Sequence, residues 1–457
     1  MYFLSLPITT GDLSVWIAQG KYILLHGEIL RHDIYSVLPT KPLIYPVGTC
    51  VLYALIYSFS GLIGVSLFHK LIILILSHLW LGSLKKLQNP WAKPTLLVIF
   101  IAWFGSSMFW IERPALLGMV PLVLSFLILQ KNEDLSWKEI IHLNLINIAW
   151  VNIHGTWPLL MVMYGWRGFS KKIKWQHAVA ILSLLLTSLI NPFGYKIYQY
   201  VFETAAVSQF RHIDEWAKPN FFGPYASQSL IYFILVFLFF GLVLFLIKQK
   251  KIATFKSTIT SPFLILLVLG FLNVRNTALA FYVLIPFATN FIWVNEKQVE
   301  VKEKKSTVNI VIVGFLLFCT FLFLPMIKPY SQDLLPENKR AVFDSSAPLL
   351  ARDYLNQTKD SEPLFNDWEY GSFLILEQKH KIFIDTRNII YGQNEFSEYL
   401  TVVEAKNGWE NILVKYKIKY VLLNRKLRSK LIENLNATSI WKSVVVDNEI
   451  ILFKKKD

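Results

Sequence analysis

Long apolar runs in this chain are separated by two alternating kinds of loop, and that alternation restricts the fold to helices that repeatedly thread a bilayer. One kind is basic and otherwise bland: Lys85-Lys86 to Lys93, Arg167 to Lys174, Lys248 to Lys256, and Lys297 to Lys305. The other is short or irregular and carries Asp12, Asp33, Glu112-Arg113-Pro114, Asn152-Ile153-His154-Gly155, Asn191-Pro192, Asp214-Glu215 and Arg275-Asn276. Short Lys/Arg-rich loops stay cytoplasmic, so the second set is expected outside. A multispanning chain that gathers carboxylates, arginines, a histidine and asparagines on one side is expected to build a site there.

Composition agrees with this. Of 457 residues, 54% are hydrophobic and 17% charged, with a mean hydropathy of +0.43, which sets aside an ordinary soluble enzyme. Much of the net charge of +15 lies in the basic loops and the Lys-rich C-terminus, where orientation and anionic lipid account for it. No basic face interleaved with aromatics appears on a soluble segment, so nucleic acid is not expected as a partner. Cys50 and Cys319 both lie in apolar runs, which argues against a disulfide framework or a thiolate metal site. The opening residues, Met1 to Ile8, form an apolar stub shorter than the roughly 20 residues of a full span and read as the tail of a first helix.

Residues 9–46 read as a polar outer segment with one helix, Leu13 to His26. If 47–63 crossed, every later basic loop would invert, so this run is expected to be re-entrant or interfacial. Crossings are expected near 64–84, 95–111, 114–130, 139–151, 157–166, 177–190, 229–247, 261–274, 277–294 and 308–327, about ten in all besides the stub. This makes 1–327 a transmembrane domain with outer loops at 9–63 and 191–228. Charges then become frequent and apolar runs shorten, so 328–457 reads as a soluble extracytoplasmic α/β domain. Helices are expected at Pro348 to Asn356, Glu395 to Glu404 and Trp409 to Tyr416. Strands are expected at Pro363 to Phe365, Lys381 to Asp385 and Tyr420 to Leu423, with a hairpin joining Lys442 to Val446 and Ile450 to Phe453.

Several outer residues have side chains suited to chemistry. Asp12 stands just past the apolar stub. There a carboxylate can deprotonate an acceptor hydroxyl or organise a divalent cation, Mg or Mn, and it can equally cap the helix that starts at Leu13. Arg113 and Arg275 each stand where one span ends and the next begins. Paired guanidinium groups at one level suit a lipid phosphate, with an interfacial anchor or a partner such as Glu112 as the alternative. Asn152 and His154 suit a metal or a sugar, or simply a polar tight turn closed by Gly155. His212, Asp214, Glu215 and Trp216 offer metal ligands or a sugar-stacking ring, or form a solvated loop. Asp385 and Arg387 follow a strand, where ligands often bind, and an internal ion pair fits as well.

Together these segments resemble the bacterial integral-membrane proteins related to the GT-C glycosyltransferases. The resemblance runs through Asp12-Leu13-Ser14-Val15-Trp16, His26-Gly27, Arg31-His32-Asp33-Ile34-Tyr35-Ser36, Arg113-Pro114, Trp150 to Gly155, Asn191-Pro192-Phe193-Gly194, Glu215-Trp216 and Arg275-Asn276. It continues in the tail through Asn366-Asp367-Trp368-Glu369-Tyr370-Gly371 and Ile384-Asp385-Thr386-Arg387 to Tyr391-Gly392. It implies transfer of a hexose or pentose from a polyprenyl-phosphate donor to an envelope glycan, lipid or protein, outside a bacterial cytoplasmic membrane. Asp12 would be the central acidic residue, and Asp33 falls at a second recurrent acidic position. Arg113, Arg275, Asn276, Asn152, His154, Glu215 and Trp216 would bind substrate. The pattern departs from the family in having a single Asp12 followed by Leu13 rather than a paired acidic motif. Two other readings follow from the sequence. One is a catalytically degenerate member whose outer domain binds a glycan or envelope partner. The other is a transporter using charges at depth, for which His69 and Lys70 are the nearest, both close enough to a span end to snorkel.

Overall fold

The computed structural model describes residues 13–87, 93–107, 110–131, 134–168, 175–206, 214–296, 348–377 and 379–456. Asp12 and the stub before it, His212 and the crossing expected at 308–327 lie outside these. Contacts divide the described residues into two units, 66–195 with 214–296, and 13–65 with 196–206 and 348–456.

In chain order the first helices are α1 (Leu13–His26), α2 (Val47–Leu84), α3 (Lys93–Ser107), α4 (Pro114–Leu117), α5 (Met119–Leu129), α6 (Trp137–Ile153), α7 (Pro158–Gly168), α8 (Trp175–Ser188) and α9 (Lys196–Ala206). They are followed by α10 (Ala226–Lys248), α11 (Ile252–Ile259), α12 (Pro262–Leu269) and α13 (Val274–Glu296). Within α2 the helical path breaks at Gly61 (φ 61, ψ −160), so the stretch expected to be re-entrant or interfacial is helical up to that glycine. Among the described residues, α2 and α10 are long and apolar enough to cross a membrane, and α11 with α12, bent by 48°, would make a third span. Three shorter apolar helices, Thr95–Ser107, Pro114–Leu129 and Trp175–Ser188, fall on segments read from sequence as crossings.

In lipid the hydrophobic effect does not draw helices together, so polar side chains and close packing must. An asparagine seam does this between α6 and α8. Asn144 donates to Ser183 Oγ (2.9 Å) and accepts from Thr187 Oγ1 (3.0 Å). Asn147 donates to the Leu184 carbonyl (2.8 Å) and to Thr187 Oγ1 (3.0 Å). Asn152 continues the seam, donating to the carbonyls of Ile148 (2.9 Å) and Ile190 (2.8 Å). A second polar contact buries Lys70 on α2 with its Nζ 2.9 Å from Glu112 Oε1, which Ser66 Oγ also reaches at 2.8 Å. Lys70 therefore does not snorkel. It is neutralised in place, as a buried charge must be.

The second unit contains α14 (Leu349–Gln357), β1 (Leu364–Asn366), α15 (Trp368–Glu377), α16 (Gln393–Val403), α17 (Trp409–Lys415), β2 (Tyr420–Asn424), α18 (Ser429–Ala437), β3 (Trp441–Val446) and β4 (Ile450–Lys455). The strands form one sheet in the order β1-β2-β4-β3, with β1 parallel to β2 and the other pairs antiparallel. The β3–β4 hairpin closes on Asp447 Oδ1, which accepts the backbone N–H groups of Glu449 and Ile450, both at 2.7 Å. The strand expected at Lys381 to Asp385 is reduced to Ile382, which bridges in parallel to Leu364 on one side and to Ser36 on the other.

The N-terminal outer segment supplies part of this unit's core. Val15 and Ala18 of α1 join Tyr370, Phe373 and Leu374 of α15 and Leu364, Leu422 and Leu452 of the sheet in one buried cluster. Residues 13–36, part of the segment 9–63 read from sequence as an outer loop of the transmembrane part, thus pack with the C-terminal residues through α1 and the Ser36 bridge.

Candidate functional site

In the first unit the turn Glu112-Arg113-Pro114 sets the site. Proline disfavours helical backbone in the residue before it, and Arg113 is accordingly extended (φ −123, ψ 147) at the start of α4. Its neighbour Glu112 is held by Lys70, so the alternative pairing of Arg113 with Glu112 does not form. Arg113 Nη1 instead reaches Glu215 Oε2 at 2.7 Å, across 102 residues of sequence. The other oxygen of the same carboxylate faces Arg275 Nη1 at 3.3 Å. Arg275 is the second residue of α13, whose first N–H donates to the Ala217 carbonyl (2.8 Å) and so ties the helix to the Asp214–Trp216 turn. Trp216 closes the cluster, with its ring centroid 5.3 Å from the Arg275 guanidinium.

Burial opposes ionisation of Glu215, but Arg275 and Arg113 outweigh it and hold the carboxyl below its ordinary range. Two guanidinium groups thus meet on one carboxylate. The arginine side chains remain 28% and 25% exposed.

His154 caps the end of α6. The α4–α5 joint approaches it so closely that a Cβ on Gly118 would meet His154 Cβ at 3.2 Å and Thr156 Oγ1 at 3.0 Å, a tight fit that a larger residue would have to push apart. The Thr156 N–H donates to His154 Nδ1 (3.2 Å), which places the ring proton on Nε2. Burial, helped by the charge of Arg275, pushes its pKa down to about 3. His154 is therefore a neutral N–H donor across the physiological range, not a general base. Tyr225, at the start of α10, stays a neutral phenol because burial and the Glu215 charge raise its pKa.

Of the residues singled out from sequence, Arg113, Arg275, Glu215, Trp216 and His154 thus belong to one neighbourhood. Asn276 follows Arg275, its backbone N–H capped by Asn273 Oδ1 (2.9 Å). The Asn152 amide fastens α6 to the residues just after α8. Sequence reading missed the Lys70–Glu112 pair, for which Lys70 in an apolar helix was the available signal.

The second acidic position is Asp33. It lies in the second unit, where its Oδ1 accepts from Arg387 Nη1 at 2.7 Å and its Oδ2 from the Ser36 N–H at 3.0 Å. With a side chain 1% exposed, it is enclosed by these partners. Asp385 binds the same arginine through both oxygens, at 2.9 Å to Nε and 2.6 Å to Nη2, and accepts the Tyr391 hydroxyl at 2.7 Å. The two tail motifs are likewise engaged with each other. Asn366 Nδ2 donates to the Ile384 carbonyl (2.8 Å) and its Oδ1 accepts from the Phe383 N–H (2.9 Å). A Cβ on Gly371 would lie 2.0 Å from the Ile384 oxygen. Among the described residues no three His, Cys, Asp or Glu gather as metal ligands. Asp33 and Glu215 are both committed to arginines, and Asp12, the residue expected to organise a cation, lies outside the described residues.

No protein family matches the chain by sequence, and no curated protein is significantly similar to it. Solved structures do match. ArnT from Cupriavidus metallidurans bound to undecaprenyl phosphate matches over 99% of this chain and 95% of its own, with a TM-score of 0.53 and 12% identity. Apo ArnT from the same organism covers 99% and 94%, with a TM-score of 0.50 and 11% identity. The apo oligosaccharyltransferase of Archaeoglobus fulgidus matches 92% of this chain with a TM-score of 0.54 and 10% identity, and the chain spans 66% of that protein's length. What is shared at this identity is architecture: the chain has a GT-C-like fold, mostly helical with a small sheet.

Proposed function

We propose that this protein is a membrane glycosyltransferase that moves a sugar from a polyprenyl-phosphate donor to an envelope acceptor on the extracytoplasmic face. The observation that carries the reading is the sharing of Glu215 by Arg113 and Arg275. One carboxylate orients two guanidinium groups whose side chains stay about a quarter exposed, which prepares donors for a phosphate. The undecaprenyl phosphate bound to ArnT, a protein of the same fold, supports a ligand of this class.

In the proposed step the acceptor hydroxyl oxygen attacks the anomeric carbon and its proton passes to Asp12. The bond from the anomeric carbon to the phosphate oxygen breaks with inversion, and the electron pair leaves with polyprenyl phosphate. Arg113 and Arg275 stabilise the charge that develops there. His154 Nε2–H adds a neutral donor to a phosphate or sugar oxygen. The alternation of basic loops supports about ten crossings, with Asp12 and the α/β unit outside. The alternative is a catalytically degenerate protein whose outer domain binds a glycan or an envelope partner.

Mass spectrometry of envelope glycolipids and glycoproteins, with and without the gene, tests the proposal. One species should lack a hexose or pentose, and Asp12→Asn should reproduce that loss while the protein stays folded in the membrane. Undiminished transfer by the variant rules out the base.

A further inference from the structure

We infer that the α/β unit positions the catalytic segment, and that Arg387 is the positioning residue through which it does so. The inference rests on the reading of Asp12 as the base. Asp385 grips Arg387 bidentately and is itself held by Tyr391, so the guanidinium is oriented before it meets anything else. The remaining Nη1 then binds Asp33, 354 residues away in sequence. Asp33 in turn folds its own segment, accepting from the Ser36 N–H and hydroxyl. That turn presents the backbone to the sheet. The Ile382 N–H donates to the Tyr35 carbonyl (3.0 Å), the Val37 N–H to the Ile382 carbonyl (2.9 Å) and the Lys41 N–H to the Ile390 carbonyl (2.8 Å). At its other end the same segment is held by α1, whose Val15 and Ala18 pack in the core against α15. Asp12 is the residue immediately before α1.

The chain is therefore gripped on both sides of 27–32, once by apolar packing and once by Arg387. The network is also too closed to be a ligand site, with Arg387 9%, Asp33 1% and Asp385 0% exposed. Its function is to hold a backbone, and that backbone leads directly to the proposed base.

The test uses the full chain in lipid nanodiscs, comparing Arg387→Gln, Arg387→Lys and Asp33→Asn with wild type. Hydrogen exchange in 33–41 and α1 should accelerate about tenfold or more in Arg387→Gln and Asp33→Asn, while β2 and β4 stay protected. The kcat of transfer should fall about tenfold or more with the donor KM within about twofold, because misplacing one catalytic group costs rate without weakening phosphate binding. Arg387→Lys, which keeps the charge but not the fork, should recover part of kcat. If Arg387→Gln unfolds the sheet, Asp33→Asn, which leaves the Arg387–Asp385 pair intact, decides in its place. Unchanged exchange in 33–41 overturns the clasp, and faster exchange with wild-type kcat overturns positioning. Should the wild-type protein transfer no sugar from any donor, the glycosyltransferase reading falls, while hydrogen exchange still decides whether Arg387 holds the segment.

Discussion

The cluster at Arg113, Glu215 and Arg275 and the cluster at Asp33, Arg387 and Asp385 are built from the same two groups in inverse proportion. In the first, two guanidinium groups share one carboxylate and each keeps about a quarter of its side chain exposed. In the second, two carboxylates share one guanidinium and nothing is left open. Burial works against the charge of Arg387, but Asp385 and Asp33 reverse this and hold it firmly protonated. The first arrangement keeps both guanidinium groups accessible to an anion. The second is already complete and functions as a fastener. An arginine–carboxylate motif in a sequence is therefore uninformative until its stoichiometry and exposure are known.

The comparison predicts opposite responses to the same substitution. Arg387→Gln leaves Asp33 and Asp385 buried without a counter-charge, so the α/β unit should lose about 3–5 kcal/mol in chemical denaturation. Arg113→Gln or Arg275→Gln should barely change stability but should weaken polyprenyl-phosphate binding by about 1.5–3 kcal/mol each, the worth of a charged hydrogen bond, read by titration in nanodiscs. Equal stability losses at the two clusters would erase the distinction. Asn152→Ala should cost about 0.6–2 kcal/mol of unfolding free energy, the range for interhelical hydrogen bonds in membranes, with donor affinity unchanged.

Acidity sharpens the contrast further. Asp33 has its pKa lowered: burial raises it, and the Arg387 charge and its hydrogen bonds more than offset that. A depressed carboxylate contributes stability above its unfolded pKa of about 4 and loses it as pH falls through the folded value. The fastener should therefore hold through mildly acid conditions and open only below about pH 4, as followed by hydrogen exchange in 33–41. The donor site should show no titration between about pH 5 and 8, since His154, with its pKa near 3, stays neutral throughout. A limb in donor affinity near pH 6.5 that disappears in His154→Gln would contradict the buried, Nε2-protonated ring.

Much of this was legible in the sequence because it is local. Arg113 before Pro114, Arg275 beside Asn276, and Glu215-Trp216 announce themselves as charges flanking apolar runs, and the structure brings them together. The β3–β4 hairpin is written in Asp447-Asn448-Glu449. What escaped is long-range or lacks periodicity. No pattern near Asp33 specifies a partner 354 residues on. α15 has near-continuous burial from Tyr370 to Ile375, so no amphipathic stripe marks it. α18 did carry a signal, Leu431 and Leu435 at i and i+4, both buried. The basic stretch from Lys248 to Lys256, read as a loop, holds most of α11, because lysine is a good helix former and its charge marks sidedness, not secondary structure.

The most direct test is the binding of a polyprenyl phosphate to the full-length protein in nanodiscs, comparing wild type with the Arg113→Gln/Arg275→Gln double variant. Wild type should bind saturably, and the double variant about a hundredfold or more weaker while remaining folded in the membrane. Equal affinity in the two proteins would show that Arg113 and Arg275 do not hold the phosphate, and the proposed chemistry would lose its basis.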